Sequence, residues 1–240
     1  VLYCFRSGHQ VFFPPFVKRK EDFLPAVEKI REYCRQIGDK IDIERIPEPM
    51  YEILKEHQND GFLIEEDRND FEYLYDPKDL IELKGKKFNS KRNFLHGFQS
   101  SYNYRFVAYD DSKKQEILSF VDFWAQESNK TDYEEEYAAI ETALTYWKEL
   151  NLYCDCLYVD EKLAGFSIGF INDFNTGIVM FEKADTSYRG CYAALNQHMA
   201  EAHFSGCTLI NRQEDMGIEG LRKAKLSYHP VRLAKKYNLK

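Results

Sequence analysis

Two hydrophobic periodicities take turns along this chain, and their order predicts an α/β (α+β) fold. Residues 1–16, rich in aromatics and ending in Pro14-Pro15, predict strands and a turn. Phe23, Val27, Ile30, Cys34 and Ile37 recur at helical spacing, which predicts a helix over 21–37 stopped by Gly38. Ile41, Ile43 and Ile46 predict a strand, 50–57 a short helix, and 61–75 two short strands around a charged turn. Asp76-Pro77 opens a helix that Gly85 interrupts and 86–98 resumes. A strand over 104–109 comes next. Two helices follow: one behind the capping box Ser112-x-x-Gln115, with Ile117, Phe120, Val121 and Trp124 inward, the other behind Thr131-x-x-Glu134. Glu134, Glu135 and Glu136 read as the solvated start of that second helix, on which Tyr137, Ile140, Leu144, Trp147 and Asn151 keep helical spacing.

Strands over 152–159, 162–171 and 177–181 then form a meander, in which Gly165 and Gly169 mark a bulge or a close backbone approach. The turn Ser187-Tyr188-Arg189-Gly190 leads into a helix on Tyr192, Leu195, Met199 and Ala202. Residues 207–210 give another strand, a basic helix follows, and 228–237 adds a final strand. Charged residues begin where two strands stop: Glu182-Lys183 after one, and Asn211-Arg212-Gln213-Glu214-Asp215 after the other. Strand ends are where α/β folds gather their chemistry.

Composition narrows the class. The 240 residues are 44% hydrophobic, ample for a core. No apolar run approaches the ~18 residues of a membrane helix, and no signal peptide is visible. The expected location is therefore the cytoplasm. The six scattered cysteines are expected as buried free thiols. The histidines do not cluster; His198 and His203, five apart, miss a common helical face, so no metal is expected. A net charge of −7 excludes general affinity for nucleic acid, yet the charge is uneven. Residues 83–109 hold no acid but contain Lys84, Lys86, Lys87, Lys91 and Arg92. Residues 216–240 set one acid, Glu219, against Arg222, Lys223, Lys225 and further bases.

From Gln115 onward the order of elements is that of a GNAT acyltransferase lobe. Several motifs sharpen this: Asp76-Pro-x-Asp-Leu-x-x-Leu-x-Gly85-Lys-Lys-Phe88-x-x-Lys91-Arg92-Asn93, Gly165-Phe-Ser-Ile-Gly169, Phe181-Glu-Lys-Ala184, Asn211-Arg-x-Glu-Asp215-x-Gly217, and Gly220-Leu-Arg222-x-x-Lys225-x-x-Tyr228-x-Pro230. Over Tyr73–Tyr237 the chain resembles the phosphatidylglycerol lysyltransferase C-terminal domain family. The resemblance implies two tandem GNAT-like lobes, akin to the Fem-type aminoacyltransferases, expected here as a degenerate lobe over 1–103 and a second over 104–240. It also implies transfer of an amino acid from aminoacyl-tRNA, with no further cofactor. The best-known members use a membrane lipid as acceptor and carry a multi-helix membrane region before the domain. This sequence shows none, so the acceptor stays open between a lipid and another small molecule.

Such a transfer needs a basic track for tRNA, a carboxylate for the acceptor's proton or the donor's ammonium, and a cation or backbone amides for the oxyanion. Glu182, Arg212, Glu214, Asp215 and Lys225 are the candidate catalytic residues. Lys84, Lys86, Lys87, Lys91, Arg92, Asn211, Arg222, Lys223 and Tyr228 are the candidates for binding substrate. A structural ion-pair network with Lys183, Arg212 and Lys225 competes for the three carboxylates. If the donor were acyl-CoA, Arg189 and Gly190 would cradle its pyrophosphate, although Tyr192 is bulky for that pattern. A CoA-dependent N-acyltransferase and a non-catalytic module for RNA or an anion remain the alternatives.

Overall fold

The computed structural model describes residues 2–6, 8–128, 130 and 133–240 and divides into two compact units. The first holds residues 1–73, 214–223 and 232–240, the second 74–213 and 224–231. This division does not coincide with the expected boundary after residue 103. The segment 74–103 belongs with the second unit because its helices pack on a helix there.

In the first unit, strands β1 (Tyr3–Arg6) and β2 (His9–Phe12) form a hairpin. The helix predicted over 21–37 is α1 (Phe23–Ile37), and Gly38 ends it in the left-handed conformation at φ 72. Phe23, Val27, Ile30 and Cys34 are buried as expected, but Ile37 is the last residue of the helix and 48% exposed. β3 (Ile43–Pro47), α2 (Glu48–Leu54) and β4 (Ile64–Glu66) follow. The sheet order is β1-β2-β3-β12-β4, where β12 (Lys236–Leu239) supplies an interior strand from far along the chain. Phe12, Phe23, Val27, Ile43, Ile46, Leu54, Tyr237 and Leu239 share one core. The expected single strand over 228–237 is instead β11 (Arg232–Ala234) and β12.

The second unit begins within β5 (Glu72–Tyr75) and continues through α3 (Pro77–Glu82) and α4 (Asn89–Ser101). Asp76 caps α3 by accepting from Lys78 N. Then come β6 (Tyr104–Ala108), α5 (Lys114–Glu127) and α6 (Glu134–Thr145). The expected Ser112 cap is replaced by Asp110, whose carboxylate takes the Ser112 N–H and starts a short 3-10 turn before α5. The second capping box has its Thr131 outside the described residues. β7 (Tyr153–Val159), β8 (Lys162–Ile171), β9 (Thr176–Ala184), α7 (Cys191–Ala202), β10 (Leu209–Asn211) and α8 (Glu219–Leu226) complete the expected order.

The strands run β5-β10-β9-β8-β7-β6, antiparallel except where β10 pairs parallel with β9. Ile117, Val121, Ile140 and Leu144 of α5 and α6 pack on Cys156, Phe166 and Ile168. α7 lies on the opposite face. Gly165 and Gly169 make room for it: a Cβ on them would stand 2.8 Å from Leu195 Cδ1 and 2.9 Å from Met199 Cε. The β8–β9 register also shifts between Ile168 and Gly169, so both expectations for these glycines hold. α3 and α4 close over α7: Gln197 Nε2 donates to Ile81 O at 2.7 Å.

Candidate active site of the second unit

The chemistry-bearing residues gather where two parallel strands part. β10 pairs with β9 only over Leu209–Asn211 against Thr176–Ile178, while β9 runs on to Ala184. Beyond Asn211 the chain turns away. Asn211 Oδ1 accepts from Gln213 N at 2.7 Å, and Gln213 takes a left-handed φ of 56. The Gln213 amide then reaches back to Val179 O at 3.1 Å, meeting a β9 carbonyl beyond the strand pairing.

Arg212 enters this wedge and is fixed on every side. Nη2 donates to Glu182 Oε1 at 2.8 Å. A guanidinium offers only donors, so the Asn196 amide oxygen faces it, accepting from Nε at 3.0 Å and Nη1 at 3.2 Å. The Tyr75 and Tyr228 rings lie 6.0 and 5.2 Å from Cζ. Burial works against the charge, but Glu182 and the two tyrosines outweigh it and hold the guanidinium above its ordinary pKa. It stays a cation.

Glu182 Oε2 is buried with no hydrogen-bond partner among the described residues, and so is Ser167 Oγ. The two residues are register partners across β8 and β9 and therefore share a face. Buried polar oxygens are nearly always paired, so two orphans on register partners make this the candidate site of the unit. Lys91 of α4 stands over the Tyr228 ring at 4.3 Å. Burial, with Arg212 adding repulsion, pushes its ammonium below the ordinary lysine pKa. The Tyr228 phenol, pushed up to about 12 by burial, stays protonated near neutrality. Lys225 donates to Arg212 O at 2.6 Å and Gln213 O at 3.2 Å, bracing the turn that carries Arg212.

The other candidates lie elsewhere. Asp215 belongs to the first unit, fully buried and bonded to Arg68, Arg222, Tyr73 and Gly217 N. Glu214 pairs there with Arg45 at 3.2 Å. Both are thus held in ion pairs, with Arg45, Arg68 and Arg222 in place of the expected Lys183, Arg212 and Lys225, and neither shares a unit with Glu182. Lys183 faces the other side of β9, where it meets Glu136 at 2.7 Å and the Trp124 ring at 3.8 Å. Glu136 is accordingly not a solvated helix start. Of the basic block, Arg92 donates to Leu83 O and Gly85 O and so closes the end of α3. Lys84 pairs with Glu82 and Lys87 with Asp79, and Lys84, Lys86 and Lys87 are exposed. Lys223 is exposed on α8.

The Arg189-Gly190 turn is packed shut. Gly190 caps α7 at φ 96, and a Cβ there would stand 2.4 Å from Phe94 O. The Arg189 guanidinium lies over the Phe94 ring at 5.3 Å. Tyr192 is pinned nearby, its hydroxyl accepting from Trp124 Nε1 at 3.1 Å.

Sequence reading missed Asn196 and Ser167. Asn196 is legible only as an amide on the apolar side of a helix, and Ser167 as a hydroxyl between strand glycines. The histidine expectation is corrected: His198 and His203 converge on Asp155. α7 ends at Ala202, so His203 at φ −118 is off the helix and helical spacing does not govern it.

The family model for the C-terminal part of phosphatidylglycerol lysyltransferase matches residues 1–240. The chain belongs to that family. The match extends the resemblance over the first seventy residues, which lie before the first of its motifs at Asp76. A Bacteroides thetaiotaomicron protein of unknown function is 32% identical to this family member at a TM-score of 0.89, covering 99% of this chain and 81% of that one. L-PGS from Bacillus licheniformis shares the fold at 16% identity and a TM-score of 0.72, covering 99% and 79%. FemX does so at 8% identity and 0.65, covering 96% and 80%. The GNAT-like fold class and the likeness to the Fem-type fold are therefore as expected. Among the described residues, no helix is long and apolar enough to cross a membrane.

Proposed function

We propose that this lysyltransferase-family chain transfers an aminoacyl group from aminoacyl-tRNA to a hydroxyl or amine acceptor, at the parting of β9 and β10. The observation that carries the reading is the buried Arg212–Glu182 pair with Glu182 Oε2 unpartnered beside Ser167 Oγ. Glu182 Oε2 accepts the proton of the attacking group as it adds to the ester carbonyl. Arg212, pre-fixed by Asn196 and Glu182, faces the negative charge that develops on the carbonyl oxygen. The tetrahedral intermediate collapses by breaking the ester C–O bond, and the departing ribose oxygen takes the proton held on Glu182 Oε2. Lys225 holds the turn and does not react. Lys91 and Arg212, two cations over one tyrosine ring, favour an anion beside them, as the phosphates near a tRNA end would supply.

The packing of Phe94 on Gly190 favours this donor over acyl-CoA, because the turn that would cradle a pyrophosphate is already covered. The test offers the purified protein tRNAs charged with radiolabelled amino acids, or labelled acetyl-CoA, with cell extract as acceptor. Transfer from a charged tRNA, lost in Glu182→Gln, supports the reading. Transfer from acetyl-CoA alone refutes it. Tight RNA binding without any transfer favours the non-catalytic module.

A further inference from the structure

Asp155, His198 and His203 form a cluster of metal-ligating side chains away from the β9–β10 wedge. Asp155 sits on β7, only 5% exposed, and both imidazoles aim Nε2 at the same carboxylate oxygen, at 2.6 and 2.7 Å. Each ring is held before any ligand arrives. Phe106 stacks on His198 with centroids 3.7 Å apart and planes 3° from parallel. Tyr153 stacks on His203 at 4.5 Å and 24°. Among the described residues these two rings are the ion-pair partners of Asp155. A buried carboxylate that meets two imidazoles and, among the described residues, no lysine or arginine is a ready partner for a cation.

We propose that these three side chains bind a divalent transition-metal ion of the zinc class, tying the end of α7 to β7. The donor set is right for it: two imidazole nitrogens and one carboxylate are borderline ligands that suit zinc and its neighbours, not calcium or magnesium. The spacing is right as well. The ligand atoms lie within 4.8 Å of one another. A tetrahedral ion with bonds of about 2.0 Å spaces its ligands roughly 3.3 Å apart, so each ring retreats from the carboxylate by about 0.6–0.7 Å while the two imidazole nitrogens settle at the same spacing. On binding, each Nε2 presents its lone pair to the ion and the ring proton resides on Nδ1, exchanged through solvent. His198 and His203 side chains are 25% and 20% exposed, which leaves the remaining coordination position to water. The ion would also brace Asn196, two residues before His198 on α7.

The experiment strips the purified, untagged chain with a chelator, then titrates zinc calorimetrically and cobalt by visible absorption. The expected result is saturable binding of one ion per chain, a four-coordinate cobalt spectrum and a higher melting temperature with zinc. All three should vanish in His198→Gln and in His203→Gln, each checked for an unchanged circular dichroism spectrum. Binding that persists in the double variant overturns the proposal. So does a melting temperature that follows pH but ignores zinc, which would make the cluster a proton-linked hydrogen-bond network.

Discussion

Asp215→Asn tests the electrostatic knot of the first unit. The carboxylate has no exposed surface and accepts from Arg222 Nε at 2.9 Å and Nη2 at 2.8 Å, Arg68 Nη1 at 3.1 Å, Tyr73 OH at 2.5 Å and Gly217 N at 2.9 Å. Asparagine keeps the shape and one acceptor oxygen. It turns an amide NH2 toward donors and leaves two guanidiniums without their counter-charge. Removing one partner of a buried pair costs about 3–5 kcal/mol. The two arginine side chains are 36% and 32% exposed, so water recovers part of this. The expected loss is about 2–3 kcal/mol, against a total stability on the order of 5–15 kcal/mol.

Urea unfolding of the wild type and the variant measures that loss, and pH supplies a second check. Burial alone would raise the Asp215 pKa, but the Arg222 and Tyr73 hydrogen bonds overcome it and hold the carboxyl well below the usual carboxylate range. A depressed folded-state pKa means the unfolded chain binds more protons. The contribution is therefore complete above the unfolded value near 3.9 and is lost as pH falls toward the folded one. The gap between wild type and variant should be level above about pH 5 and shrink in acid below about pH 4. A gap below about 0.5 kcal/mol at neutrality, or one that does not narrow in acid, refutes the reasoning.

Other perturbations probe the second unit. Gly190→Ala forces a Cβ to 2.4 Å from a backbone oxygen at φ 96, and should cost about 2 kcal/mol or more in thermal unfolding. Arg212→Lys replaces a planar fork by a point charge and cannot bond Glu182 and Asn196 together, so transfer should fall about 100-fold or more while the circular dichroism is unchanged. Lys84, Lys86 and Lys87 changed together to alanine should weaken tRNA binding and flatten its salt dependence, by up to about 0.7–0.9 in slope for each phosphate no longer neutralised. An unchanged slope would remove them from the tRNA track.

Much of this was legible because local and global signals agreed. The stripe on α1, Asp76-Pro77 at the start of α3, and the crowded glycines of β8 each follow from spacing or from a single residue's geometry. Arg212 and Glu182 were legible as charges that begin where strands stop. The assignment of Asp215 to the other unit was not, because the chain changes units between Gln213 and Glu214 and no local pattern records that. The split of the basic block was hidden too. Lys91 and Arg92 are neighbours in sequence, yet one stands over Tyr228 and the other closes α3, which depends on what packs around α4. His203 escapes because it stands one residue past the end of α7, where helical spacing no longer holds.

The place of β12 has a consequence for biosynthesis. An interior strand of the first sheet, paired on one side with β3 and on the other with β4, is translated after all of the second unit. Until residues 236–239 leave the ribosome, β3 and β4 each present an open edge. The unit translated first is therefore completed last, and the nascent chain must hold those edges apart from other strands while the rest is made.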